Sequence, residues 1–526
     1  MVRIQELKLP VEADAEALEK KLLKVLRIPQ EELLSYRIFR RSLDARKKEN
    51  IHYVYVVDAE VKHEKKVLER AKGVTVSPDY TYHLPEHIGK LPARPVVVGF
   101  GPAGMFAGLL LAEMGLCPII LERGGDVDSR HAAVERFWQT GELDTESNVQ
   151  FGEGGAGTFS DGKLTTRIKD PRCRKVLEEM TAAGAPEEIL YDAKPHIGTD
   201  RLRGVVKRIR EKILSLGGEV RFHAKLTGFL TEEGRITGVE LENGERIRTE
   251  DVVLALGHSA RDTFELLHRE SFELEQKPFA VGVRIEHPQK MINTVQYGKS
   301  ADKLPAADYR LTYTTKKHRG VYTFCMCPGG YVVAAASEKD RLAVNGMSTY
   351  ARDGENANSA LLVQIFPKDF GSDHPLAGMY FQRELEEKAF RAGGGDYSAP
   401  CESVGSFLGG TDKESDIKAT YRPAVKKCSM DDIFPAFITE ALREALPALG
   451  RKLRGFDRED AVLTAVESRS SSPIRILRNK QGESLSLKGV FPAGEGAGYA
   501  GGIVSAAVDG IAAAEHIAEK YSMTEK

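Results

Sequence analysis

From Pro95 to Arg123 the chain reads as strand, glycine-rich turn, helix, second strand and acid, and no other stretch limits the fold as much. Val96-Val97-Val98 is an apolar run of the length of a buried strand. Gly99-Phe100-Gly101-Pro102-Ala103-Gly104 follows, its glycines spaced as in a dinucleotide-binding turn. Gly99 permits the tight turn off the strand, Gly101 lets a pyrophosphate approach the backbone, and Gly104 lets the helix pack close to the sheet. The helix opens at Pro102 and Ala103 and offers free N–H groups and the positive end of its dipole to phosphates. Ile119-Ile120-Leu121 is the second strand. Glu122 then stands where a carboxylate accepts from ribose hydroxyls, with Arg123 beside it. The run from Val96 to Leu116 is long and apolar, but its glycines, Pro102, Glu113 and the lack of basic anchors argue against a membrane span.

At 526 residues the chain exceeds one ordinary core, so two or three domains are expected. The net charge of −2 gives no global field to steer nucleic acid or an anionic membrane. Met1 to Lys21 is charged and has no apolar signal core, and six cysteines in a chain of this size form no disulfide framework. Both point to a reducing cytoplasm. No C-x-x-C pair occurs, and no metal site is expected.

Residues 1–88 read as a small domain of order β-α-β-β-α, a ferredoxin-like α+β sandwich. Arg37, Arg40, Arg41, Arg46, Lys47 and Lys48 face only Asp44 between its middle strands. Residues 37–48 are either a solvated hairpin or a docking site for an anionic partner such as RNA. Pro85 to Pro95 reads as the linker onward. Residues 92–275 form the first part of the dinucleotide domain. In it, Phe151 to Lys163 carries five glycines within eleven residues, a loop whose backbone approaches a planar or charged ligand through Gly154, Gly155, Ala156, Gly157 and Thr158. A helix is expected over 202–216, a meander over 226–249, and a buried strand from Asp251 to Leu256 that ends at Gly257, with His258 and Ser259 beyond it.

Residues 276–455 read as an inserted α+β substrate domain. Cys325 and Cys327 are either thiols beside the cofactor or buried core cysteines. Asn345 and its polar neighbours line a pocket or cap turns. Residues 456–526 return to the cofactor: Arg469 or Arg475 holds an anionic group or lies on a solvated edge. Gly494, Glu495, Gly501, Gly502 and Ile503 form a second backbone cradle before the last helix.

In this order, the first turn, the strand ending at Gly257 and the Gly494-Glu495 cradle resemble flavoproteins of the glutathione-reductase-like FAD fold. More closely, the Phe151 to Thr158 loop, Cys327-Pro328-Gly329-Gly330, Asn345-Gly346-Met347-Ser348 and the Gly494 to Gly502 run resemble the bacterial family called uncharacterised FAD-dependent dehydrogenases. The resemblance implies an α/β chain with a discontinuous Rossmann-like FAD domain, an inserted substrate domain and the small N-terminal domain. It implies non-covalent FAD held by Gly99, Gly101, Gly104, Glu122, the Gly154 to Thr158 loop, Gly257, Glu495 and Gly502, and hydride transfer to or from an organic small molecule. No second G-x-G-x-x-G stands between strand and helix, so NAD(P)H is expected only as a transient electron donor. His258, His287 and Arg469 are the acid–base candidates by type. Two other functions stay open: a flavoprotein acting on tRNA through the basic hairpin, and a non-catalytic flavin sensor or partner-binding protein.

Overall fold

A computed structural model describes residues 1–86, 89–410 and 417–522; residues 87 and 88 of the expected linker lie outside this set. The N-terminal domain runs β1 (Val2–Pro10), α1 (Ala15–Leu26), β2 (Leu33–Asp44), β3 (His52–Val61), α2 (Glu64–Arg70) and β4 (Val74–Val76), with sheet order β2-β3-β1-β4. The Asp14 side chain caps α1 by accepting from the Ala17 N–H at 2.9 Å, and Leu18, Leu22 and Leu26 form its buried stripe. Arg37, Arg40 and Arg41 lie within β2 and not in the connection, because the hairpin strands extend to Asp44 and His52. The hairpin rests on the rest of the chain: Arg41 donates to Asp192 at 2.7 and 3.0 Å, and its N–H donates to the Tyr191 carbonyl. Arg37 meets Asp58 and Arg46 meets Asp44.

The second region supplies β5 (Val96–Val98), α3 (Pro102–Glu113), β6 (Ile119–Leu121), α4 (Val127–Thr140), α5 (Arg172–Ala182), α6 (Thr199–Ser215) and β7 (Glu219–Arg221). A three-stranded meander follows, β8 (Leu226–Glu232), β9 (Arg235–Leu241) and β10 (Arg246–Arg248), then β11 (Val252–Leu254) and α7 (Arg261–Arg269). Every residue of α3 from Ala103 to Ala112 is buried, as expected of a helix apolar all round.

β12 (Leu274–Gln276) leads into the third region: β13 (Phe279–Pro288), α8 (Gln289–Tyr297), β14 (Thr312–Thr314), β15 (Gly320–Cys327), β16 (Tyr331–Ala334), β17 (Val344–Met347) and β18 (Asn356–Ile365). It continues through α9 (Ala377–Gly393), β19 (Ala399–Ser403), α10 (Val404–Phe407), β20 (Val425–Lys427), α11 (Ala436–Lys452) and β21 (Val462–Glu467). Its main sheet has the order β14-β15-β18-β13-β21-β19-β20. This moves the expected boundary at 455. β21 pairs with β13 and β19, so the chain leaves this sheet only after Glu467. β22 (Ile474–Ile476), β23 (Val490–Pro492) and α12 (Ile503–Lys520) complete the chain. β23 joins the parallel sheet of order β23-β11-β5-β6-β7, so that sheet is assembled from both ends of the sequence around the inserted one.

Candidate functional site

Four glycine-bearing turns, spread from residue 99 to residue 503, meet at one end of the parallel sheet. Gly101 caps the start of α3, and a Cβ on Gly155 would stand 2.9 Å from its Cα. A Cβ on Gly494 would stand 2.7 Å from the Ala103 Cβ, and one on Gly157 would stand 3.3 Å from the Ile503 side chain. A Cβ on Gly496 would stand 2.5 Å from the Gly257 carbonyl oxygen. The N-termini of α3 and α12 therefore flank the 154–158 loop, and their free N–H groups and dipole ends suit a phosphate-bearing ligand. Gly99 and Gly104 act within the fold: Gly99 has φ +98°, and a side chain on either would strike backbone. Gly257 and Gly501 open outward, since a Cβ on either would meet nothing within 4 Å.

Glu122 is buried, and its carboxylate is already in use. It accepts from the backbone N–H groups of Phe100, Gly124 and Gly152, each at 2.9 Å. It thus ties the first turn to the glycine-rich loop as well as standing at the expected ribose position. Arg130 of α4 completes that scaffold. Its guanidinium, wholly buried, donates to the carbonyls of Asn148, Val149, Gly152 and Glu153. Burial without a direct carboxylate partner pulls it down to about 10, with Glu122 and Glu153 opposing. Sequence reading missed Arg130 because nothing in a helix marks which arginine turns inward. Arg123 points elsewhere, pairing with Glu146 and Asp262 and stacking over Phe151 at 4.2 Å.

Glu495 has the opposite environment. Its side chain is 27% exposed, and among the described residues no group donates a hydrogen bond to its carboxylate. Protein nevertheless encloses it, and burial pushes it up to about 7 against the pull of Lys277. His258 Nε2 lies 3.9 Å from Glu495, and burial with Arg469 and Arg261 nearby holds that imidazole down at about 3, hence neutral. An unpartnered acceptor beside outward-opening glycines fits a polyhydroxylated ligand such as the ribityl chain of FAD.

A second wall of polar groups stands where the loop meets the inserted domain. Asp161 accepts from the Ser348 hydroxyl and from Arg352 Nε at 2.9 Å, and pairs with Lys163 at 2.9 Å. The Lys163 ammonium also donates to the Met326 carbonyl. Cys325 is exposed and has φ +41°, yet burial pushes its thiol up to about 12; Cys327 is buried and donates to the Cys325 carbonyl at 3.2 Å. Of the remaining sequence candidates, Asn345 accepts from the Gly346 N–H, and Arg469 is committed to Glu386 and Ser337. His287 lies in the core between Phe456 and Tyr309, with Nε2 on the Phe456 carbonyl, and contributes nothing to either wall. Among the described residues no cluster of His, Cys, Asp and Glu could hold a metal, and no helix is long and apolar enough to cross a membrane.

The model of a FAD-dependent protein, C-terminal domain-like, matches residues 278–470, and a domain of unknown function matches residues 1–60. The first match ends just after β21, in agreement with the sheet. Among solved structures, the flavin-dependent brominase Bmp2 aligns at TM-score 0.38 and 15% identity, covering 82% of this chain and 80% of that one. L-proline dehydrogenase from P. horikoshii aligns at 0.36 and 12%, covering 82% and 94%. Both are too distant to define a shared fold. An uncharacterised protein of Clostridium beijerinckii is 51% identical over 531 residues, 99% of each chain. The chain belongs to the family of that Clostridium protein, and its cofactor is FAD.

Proposed function

We propose that the protein is an oxidoreductase of glutathione-reductase-like type that binds FAD without a covalent link and passes a hydride between it and an organic small molecule. The observation that carries this reading is the meeting of Gly101, Gly155, Gly494 and Gly257 with two helix N-termini, next to an enclosed carboxylate that accepts no hydrogen bond among the described residues. FAD supplies the hydride chemistry when bound. The chain's own part is to bind, orient and exclude water. Glu122 and Arg130 fix the loop, and the α3 N-terminus faces the pyrophosphate. Glu495 accepts from a hydroxyl of the cofactor. The α12 N-terminus at Gly502 and Ile503 offers donors and positive potential to an electron-rich ring. The inserted domain, which meets the loop through Ser348 and Met326, covers the other side of the cofactor.

Purified protein should be yellow and release FAD on denaturation. Its flavin should bleach anaerobically with NADH, NADPH or a member of a panel of hydroxy, amino and unsaturated compounds. A colourless protein that cannot be reconstituted with FAD overturns the assignment. A yellow protein that no donor reduces overturns the catalytic part and favours a flavin sensor.

A further inference from the structure

Lys163 is not explained by the cofactor cradle. It closes the glycine-rich loop, and its ammonium has three N–H groups. Two are spent, on the Asp161 carboxylate and the Met326 carbonyl. The third has no partner among the described residues, and the side chain is 30% exposed, on the same wall as the exposed Cys325 thiol. Lys163 and Arg352 share one carboxylate, Asp161, and Arg284 meets Glu467, while both thiols stay protonated. Arg284, wholly buried, holds the Cys325 carbonyl and Asn358, and Arg352, 14% exposed, holds Asp161. Lys163 is the most exposed of the three cations. On β15, the strand of Cys325 and Met326, Phe324 and Tyr322 pack on Ala280, Ala360 and Leu362, a small apolar cluster separate from the main cores.

We propose that Lys163 seats the carboxylate of the substrate, an organic acid whose apolar body lies along Phe324 and Tyr322. This rests on the flavoenzyme reading above and adds the substrate class to it. A carboxylate suits the site better than a phosphate, because one ammonium donor with protonated thiols around it serves a single charge and leaves the acceptors of a dianion unmet. Lys163 stays charged through the neutral range: burial lowers its affinity for the proton, but Asp161 and the neighbouring thiols together raise it by more. Binding the acid leaves the Asp161 pair intact and fills the third donor site.

The test uses the FAD-loaded protein with benzoate as the acid and benzamide as its neutral counterpart, followed by flavin absorbance difference and by calorimetry. Benzoate should bind about tenfold tighter than benzamide, the gain expected of one charge-assisted hydrogen bond. Lys163→Met should erase that preference and Lys163→Arg should retain it, with FAD content unchanged in both. Equal binding of the two probes to the unaltered protein, or no binding of either, overturns the proposal, as does a preference that survives Lys163→Met. Loss of FAD in Lys163→Met with unfolding absent would place the ammonium on the cofactor and also overturn it. Should that variant not fold, the probe preference of the unaltered protein and its decline with salt decide the matter. Failure to take up FAD at all would instead sink the flavoenzyme reading, so the two failures are told apart.

Discussion

Glu122 and Glu495 end equivalent stretches, each an apolar strand followed by a glycine turn and a helix, yet they do different work. Glu122 holds three backbone N–H groups beside the buried Arg130, while Glu495 holds none and is partly exposed. A carboxylate filled by its own chain builds the site, and one left open serves a ligand. Substitution should separate the two. Glu122→Gln puts an NH2 against backbone donors and removes the charge that offsets Arg130, so it should cost about 3–5 kcal/mol of stability. Urea unfolding of cofactor-free protein at pH 5 measures this, and Glu495→Gln should leave the midpoint there unchanged. Equal losses would erase the distinction.

Arg130 tests the built side from beneath. Its four carbonyl acceptors lie between residues 148 and 153, and a side chain on Gly152 would overlap the Arg130 stem. Arg130→Met fills similar volume but strands those carbonyls, at a cost of about 2–4 kcal/mol. Hydrogen exchange should show the loss of protection concentrated in residues 148–158. Loss spread evenly over the parallel sheet would mean that Arg130 supports the fold at large and not the loop.

What the sequence made legible follows from how local each cause is. The turn at Gly99 to Gly104, α6 over 199–215 and the last helix depend on residues a few positions apart, and periodicity with glycine spacing found them. The placement of β21 in the inserted sheet depends on pairing with β13, far along the chain, and a run such as Val462 to Glu467 suits either sheet. In the basic run 37–48, most of which is exposed, the pairing of Arg37 with Asp58 and of Arg41 with Asp192 was hidden because those acids are remote in sequence. Site residues divide the same way. Glycines forced by backbone geometry were visible, whereas the inward turn of Arg130, the filling of Glu122 and the spare donor of Lys163 are products of tertiary packing.

The open carboxylate has a pH signature. Burial raises Glu495 to about 7 from the usual carboxyl range, so the folded chain favours its protonated form. That contribution is complete below the unfolded value and is lost as pH rises through about 7, a sign opposite to that of a salt-bridged carboxylate. Cofactor-free protein should therefore weaken from pH 4.5 to 8, by about 3 kcal/mol on account of this group. Glu495→Gln should remove that part of the slope. Glu467, raised to about 7 as well, contributes to the slope of both proteins and cancels in the difference. Parallel curves for the two proteins would mean that Glu495 is solvated or paired in solution, and the contrast with Glu122 would fail.

The smallest effect on stability is the sharpest test of where the ligand lies. Gly494 and Gly501 belong to one turn, but Gly494 has φ +80° and no room, whereas Gly501 meets only open space. Gly494→Ala should cost about 1–3 kcal/mol from strain and contact with Ala103. Gly501→Ala should change the stability of cofactor-free protein by less than about 0.5 kcal/mol, as a substitution without contacts does. If FAD passes over Gly501 on its way to the α12 N-terminus, that same methyl group stands in its path, and FAD affinity should fall at unchanged fold stability. Fluorescence titration of the freed flavin gives the affinity, and thermal unfolding of cofactor-free protein gives the stability. An unchanged affinity would move the cofactor off Gly501 and leave Gly257, open in the same sense, as the surface it crosses.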